Sequence, residues 1–153
     1  MGVYLNPAAK GFEFSLNSPI YVDKSGLISK TNARINTQQR YMCVSRPRRF
    51  GKSMAADMLA AYYAYGQDNH PMFQGLEISG DSSYETHRNR YNVLKINMQY
   101  FLSSTDSMDA MLAKLKKYLL FDLLGECASV RFCDEADLVQ VEILLSRGNY
   151  AVF

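Results

Sequence analysis

The sequence has no tryptophan, only four prolines and three cysteines among 153 residues, and a formal net charge of only +2. Cys43, Cys127 and Cys133 are odd in number, and none of them forms a pair with the two-residue spacing of a zinc knuckle. His70 and His87 have no cysteine or acidic neighbours at metal-ligand spacing. The pattern argues against a structural metal site and favours a reduced, intracellular protein. The nearly neutral charge argues against a broad nucleic-acid-binding surface.

Long hydrophobic runs are also missing. No stretch approaches the roughly 18 apolar residues of a membrane span, and Met1 to Lys10 lacks the apolar core of a signal peptide. The chain is 48% hydrophobic and 21% charged, which is typical of a soluble globular domain. The length suits one compact domain. We therefore expect a cytoplasmic protein with no membrane partner.

What the sequence does contain is an alternation of strand and helix patterns. Residues 1–20 are expected to form an irregular arm with one short strand, and residues 21–153 a single domain. Predicted strands are Arg40–Ser45, Asn92–Met98 and an unfinished one at Asn149–Phe153. Predicted helices are Lys24–Lys30 capped by Asp23, Met54–Tyr65, one from Thr105 or Asp106 to Leu124 stopped by Gly125, and Asp134–Ser146. This order predicts an α/β layer with a mostly parallel sheet.

Between the first strand and the helix after it lies Ser45 to Ser53, SRPRRFGKS. A phosphate-binding P-loop has a glycine, four residues, and then Gly-Lys-Ser/Thr, between a strand and a helix. The second half of the motif is intact here, and Arg46 replaces the first glycine. Arg46, Arg48, Arg49 and Lys52 also place four cations within seven residues.

The chemistry of such a loop gives each residue type a task. Backbone N–H groups at the helix N-terminus attract phosphate, and Gly51 allows close approach of the backbone. Lys52 would bridge the β- and γ-phosphates, and the Ser53 hydroxyl would bind Mg²⁺. We therefore predict a site for ATP and Mg²⁺ at Arg46, Pro47, Arg48, Arg49, Phe50, Gly51, Lys52 and Ser53.

Other interpretations of the same loop stay open. It could be a solvated cationic turn before a helix that binds nothing. It could also be a non-enzymatic interaction module that docks on nucleic acid or an acidic partner, although Phe50 is the only stacking aromatic between its cations. An unfinished strand at Tyr150–Phe153 would leave a sheet edge that favours pairing with another chain.

The loop signature resembles that of the bacterial AAA-ATPase-like family. Tyr21-Val22-Asp23-Lys24-Ser25 is similar to the N-terminal YVDK-T/S element of that family, and Phe73-Gln74-Gly75-Leu76-Glu77-Ile78 to its F-x-G-L-x-I segment. The resemblance runs from about Tyr21 to about Val141. It implies ATP binding on a three-layer AAA/RecA-like P-loop core, with homo-oligomers possible. Longer members often carry a C-terminal nuclease-like domain, which no part of this chain matches.

A P-loop ATPase also needs an acid after a neighbouring strand to hold magnesium. Val130 to Glu135 ends in Asp134-Glu135, but Arg131 interrupts its apolar run, and Asp134 suits the cap of the next helix. In the family, an I-D-E strand follows that helix, and this chain ends before it. We therefore expect a truncated or frame-disrupted member, incomplete at its C-terminus, that binds ATP without competent hydrolysis.

Overall fold

The computed structural model describes residues 3–66, 68–126 and 150–152. The helices are α1 (Lys10–Leu16), α2 (Gly26–Asn32), α3 (Lys52–Tyr63), α4 (His70–Phe73), a 3₁₀ helix (Glu77–Gly80), α5 (Tyr84–His87), α6 (Met98–Ser103) and α7 (Met108–Glu126), and the strands are β1 (Asn92–Leu94) and β2 (Tyr150–Val152). The chain divides into two compact units. We call Ala8–Tyr91 the central unit, and Met1–Pro7 together with Asn92–Phe153 the terminal unit.

The terminal unit holds the two strands, which pair in parallel with Asn92 opposite Tyr150. Leu5 forms an antiparallel bridge with Leu94 of β1. Both leucines are buried and pack in one cluster with Leu119 and Leu123 of α7. The apolar stripe of α7 thus covers β1 and Leu5, as an amphipathic helix next to a strand requires.

The central unit is built around the second half of α3, where every residue from Met58 to Tyr63 is buried. Phe12, Tyr62, Tyr63, Phe73 and Tyr84 are all buried, and we call them the aromatic cluster. The ring of Phe73 stacks on Phe12 with 5.1 Å between centroids and meets Tyr62 edge-on at 5.5 Å. Stacked and edge-to-face pairs are the arrangements that aromatic quadrupoles favour.

The buried tyrosine hydroxyls of α3 all have polar partners. Tyr63 donates a hydrogen bond of 2.6 Å to Oδ1 of Asn32, and Tyr62 donates one of 2.6 Å to the carbonyl oxygen of Tyr84. Burial raises the pKa of Tyr62 to about 12 and that of Tyr63 well above its ordinary value. Both side chains therefore stay neutral donors, and they fix α2 and α5 against α3.

The expected three-layer α/β core with a mostly parallel sheet is wrong. In the described parts of the chain helices dominate, and the strands are only the three-residue β1 and β2. The predicted strand Arg40–Ser45 is irregular and exposed, and Tyr41 is 83% accessible. A short apolar run becomes a strand only where a neighbouring strand satisfies its backbone, and no such partner lies beside this run among the described residues.

Several other local predictions need correction. The expected irregular arm at residues 1–20 contains α1. The predicted strand Asn92–Met98 ends at Leu94, three irregular residues follow, and Met98 begins α6. Gly125 does not stop α7, which continues to Glu126. A glycine stops a helix when it adopts the left-handed conformation at the C′ position, and Gly125 is not among the glycines with positive φ.

Other predictions are confirmed or lie outside the described residues. The helices expected at Lys24–Lys30 and Met54–Tyr65 correspond to α2 and α3, and the strand expected at Asn149–Phe153 corresponds to β2. The expected helix Asp134–Ser146 lies outside the described residues. Across the described ranges, no helix is long and apolar enough to cross a membrane.

Candidate functional site

The eight residues predicted to bind phosphate lie together in the turn that leads into α3. We call Arg46–Ser53 the basic loop. Arg46 to Phe50 are exposed, as are Lys52 and Ser53 in the first turn of the helix. The cationic side chains and the Ser53 hydroxyl are therefore accessible to a ligand from solvent.

The backbone of the basic loop contains two left-handed residues. Gly51 caps α3 with φ of 73°, and Arg49 has φ of 68°. Glycine adopts this conformation at no steric cost, whereas arginine loses about 1–2 kcal/mol there. Strained residues of this kind are concentrated at ligand-binding sites, where the surrounding structure holds them in place.

The N-terminus of α3 is electrostatically positive. No side chain caps it, and its first turn contains no acidic residue. The first backbone N–H groups of a helix have no partner within the helix, and the helix dipole adds positive potential at the same end. With Arg46, Arg48, Arg49 and Lys52 beside it, this end of α3 suits an anion with several oxygens.

The ammonium group of Lys52 is directed back across the loop. Its Nζ donates a hydrogen bond of 2.6 Å to the carbonyl oxygen of Arg46, six residues earlier. The loop is thus folded around the head of Lys52. This places the lysine charge beside the backbone of Arg46, at the beginning of the basic loop.

A second ammonium group reaches the basic loop from outside the motif. Lys24 Nζ donates a hydrogen bond of 3.0 Å to the carbonyl oxygen of Phe50. The sequence prediction did not include Lys24 in the site. The only signal for it was its position in the Tyr21–Ser25 element, which carried no assigned role.

The Tyr21–Ser25 element is held in turn by the Phe73–Ile78 segment. Oδ2 of Asp23 accepts a hydrogen bond of 2.8 Å from the N–H of Glu77, and Oγ of Ser25 accepts one of 3.1 Å from the N–H of Ile78. Hydrogen bonds therefore connect the three segments on which the family resemblance rests: the Tyr21–Ser25 element bonds to the basic loop and to the Phe73–Ile78 segment.

The sequence predicted Asp23 as the N-cap of α2. This prediction is wrong, because Ser25 holds the N-cap position. Oδ1 of Asp23 accepts a hydrogen bond of 2.7 Å from the N–H of Ser25. Desolvation raises the pKa of Asp23, but the hydrogen bonds from Glu77 and Ser25 outweigh it, and the pKa lies below its ordinary value. Asp23 therefore stays ionised and ties two segments together.

The donor set of the basic loop fits a magnesium-bound phosphate chain. Arginine and lysine suit phosphate oxygens, and the exposed Ser53 hydroxyl suits Mg²⁺, which usually keeps few protein ligands beside substrate phosphates. Asp57, one turn further along α3, lies close to Gly11 of α1: a Cβ atom at residue 11 would lie 2.8 Å from the Asp57 carboxyl carbon. The described ranges contain no cluster of three or more metal-ligating side chains, and Asp134 and Glu135 lie outside those ranges.

Comparison with known families decides the classification. A family model described as AAA-ATPase-like, predicted AAA-ATPase, matches residues 12–130. The chain belongs to the AAA-ATPase-like family. The matched span of this AAA-ATPase-like chain includes the basic loop, the Tyr21–Ser25 element and the Phe73–Ile78 segment. The match confirms the family that the loop signature predicted. Among curated proteins and solved structures there is no significant match.

Proposed function

We propose that the basic loop of this AAA-ATPase-like protein binds the phosphate groups of ATP together with Mg²⁺. Membership of a family of predicted ATPases supports the assignment. The observation that carries it is the position of the Lys52 ammonium group, which lies across the loop at the uncapped N-terminus of α3. A cation, free amide donors and a helix dipole there act on the same anion.

Each part of the loop has a distinct role in this proposal. The N–H groups at the start of α3 donate to phosphate oxygens, and Lys52 exchanges the Arg46 carbonyl for the β- and γ-phosphates. Arg46, Arg48 and Arg49 add positive charge at the entrance. Ser53 supplies a hydroxyl ligand to Mg²⁺, which offsets phosphate charge when bound.

The proposal concerns binding rather than turnover. Hydrolysis by P-loop ATPases needs an acidic magnesium partner on a neighbouring strand, and the candidate pair Asp134-Glu135 lies outside the described residues. A cytoplasmic location and assembly with further copies of the chain stay predictions.

Titration calorimetry with ATP and Mg²⁺ tests the binding site. Lys52→Ala should weaken binding by about tenfold or more, since a charged hydrogen bond is worth about 1.5–3 kcal/mol. Lys30→Ala is the matched control, because Lys30 is an exposed lysine on α2 outside the basic loop. It should bind as the wild type does.

Equal ATP binding by the wild type and Lys52→Ala would overturn the proposal. A phosphate-release assay on the same samples reports any turnover. Circular dichroism on both variants confirms that the loss of binding is not a loss of folding.

A second candidate function is a contact with single-stranded nucleic acid. The observation in its favour is that Tyr41 and Phe50, before and within the basic loop, are 83% and 62% exposed. Exposed aromatic rings beside arginines are typical of surfaces on which bases stack. Salt-sensitive binding to an oligonucleotide that ATP does not compete for would favour this function over nucleotide binding.

A further inference from the structure

Lys24 is linked to the basic loop by more than one contact. Besides its hydrogen bond to the Phe50 carbonyl, its ammonium group occupies the position that a Cβ atom at residue 51 would take. Lys24 also lines a small cleft together with Met54 and Met58 of α3. The side chain is therefore held against both the loop and the helix that follows it.

The main chain on either side of Lys24 is fixed independently of the loop. Asp23 and Ser25 accept hydrogen bonds from consecutive backbone N–H groups, those of Glu77 and Ile78, at the start of the 3₁₀ helix. Ser25 and Ile78 are both fully buried. Because both neighbours of Lys24 are anchored, its ammonium group is presented to the loop from a rigid base.

The bond to Phe50 fixes the orientation of one peptide group. In a planar trans peptide, the carbonyl oxygen of Phe50 and the N–H of Gly51 point in opposite directions. While the carbonyl accepts from Lys24, the Gly51 N–H must point to the other side. If this peptide turned over, a carbonyl oxygen would face the side on which the N–H now lies, and it would repel an anion there.

We propose that Lys24 is a positioning residue of the phosphate site, which holds the Phe50–Gly51 peptide so that the Gly51 N–H is available to a phosphate oxygen. The inference rests on the proposed ATP-binding function and adds a residue from outside the P-loop motif to the site. It also gives position 51 a second reason to be glycine. A side chain there would displace the ammonium group of Lys24, in addition to the strain of the positive φ.

The test compares the binding of ATP and Mg²⁺ by the full chain and three substitutions at position 24. Lys24→Met and Lys24→Leu remove both the charge and the hydrogen-bond donor but keep an apolar side chain, and two variants are used in case one of them does not fold. Each should weaken binding by about tenfold, the size of one lost oriented donor. Lys24→Arg keeps a donor and should restore binding to within about threefold of the wild type. Lys30→Met is the matched control and should change nothing.

A spectroscopic measurement separates positioning from a general structural effect. In the wild type, the amide resonance of Gly51 should shift when ATP and Mg²⁺ are added. In Lys24→Met, that shift should shrink more than the shifts of the amides of Lys52 and Ser53, because only the Phe50–Gly51 peptide has lost its restraint.

The outcomes distinguish the two proposals. If the wild type binds ATP and both neutral variants bind equally well, the role of Lys24 is overturned while the proposed function stands. Weakening with no rescue by Lys24→Arg and no selective change at Gly51 also overturns it. If the wild type binds no ATP, the proposed function itself fails, and the role of Lys24 fails with it.

Discussion

The basic loop and the aromatic cluster lie in the same unit, but they are held by different forces. Phe73 of the cluster is fully buried between other rings, whereas Phe50 of the loop is 62% exposed. The cluster is held by apolar burial. The loop is held by hydrogen bonds from two ammonium groups, Lys24 and Lys52, to carbonyl oxygens. Stability and ligand binding should therefore respond to substitutions at different positions.

A phenylalanine-to-alanine substitution in each region should give the largest difference in the free energy of unfolding. Phe73→Ala should lower the free energy of unfolding by about 3–5 kcal/mol, because it leaves a cavity among packed rings. Phe50→Ala should change it by less than about 0.5 kcal/mol, since most of that side chain is already in solvent. Urea denaturation followed by circular dichroism measures both. Equal losses from the two variants would show that the loop contributes to the core.

Removing one hydroxyl group tests the polar contacts of the cluster. Tyr63→Phe should lower the free energy of unfolding by about 1–3 kcal/mol, because Oδ1 of the buried Asn32 loses the donor that now lies 2.6 Å away. Tyr65→Phe is the matched control, since Tyr65 is 66% exposed. It should be nearly neutral. A neutral effect of Tyr63→Phe would mean that another group satisfies Asn32.

The smallest expected effect concerns pH. The pKa of Asp23 is lowered in the folded protein from an ordinary value of 3.8. Its contribution to stability is therefore fully present above that ordinary value and is lost as the pH falls through the lower, folded value. As the pH falls below about 4, wild-type stability should fall more steeply than that of Asp23→Asn, which cannot titrate at this position.

The control for this comparison is Asp106→Asn, a change at an exposed aspartate in the terminal unit. It should leave the steep fall of the wild type in place. Parallel pH profiles for the wild type and Asp23→Asn would contradict the role of Asp23 as the tie between the Tyr21–Ser25 and Phe73–Ile78 segments.

Part of the fold could be predicted because it depends on local pattern. The alanine-rich apolar run after Ser53 predicted α3, because alanine favours helix. The spacing of apolar residues after Asp106 predicted α7, because it follows the 3.6-residue period of a helix. Whether Arg40–Ser45 forms a strand could not be predicted from its own residues. A short apolar run becomes a strand only if another strand pairs with it, and that partner is not visible in the run itself.

The candidate site shows the same division. Gly51-Lys52-Ser53 was recognisable because glycine, lysine and hydroxyl are needed at fixed spacing before a helix. Lys24 was not recognisable as a member of the site, because 26 residues separate it from Phe50 and only tertiary contacts bring them together.

By itself, the sequence determined the family, the position of the basic loop and the presence of a helix after it, since each depends on neighbouring residues. That helix was expected from Met54 and begins at Lys52. Tertiary structure decided that helices rather than a layered sheet dominate the described chain, and that Lys24, Asp23 and Ser25 connect the loop to the Phe73–Ile78 segment. The physical reason is that strand pairing and long-range hydrogen bonds depend on residues far apart in the chain. The local sequence pattern does not predict which distant group will form a hydrogen bond with a given backbone carbonyl or amide.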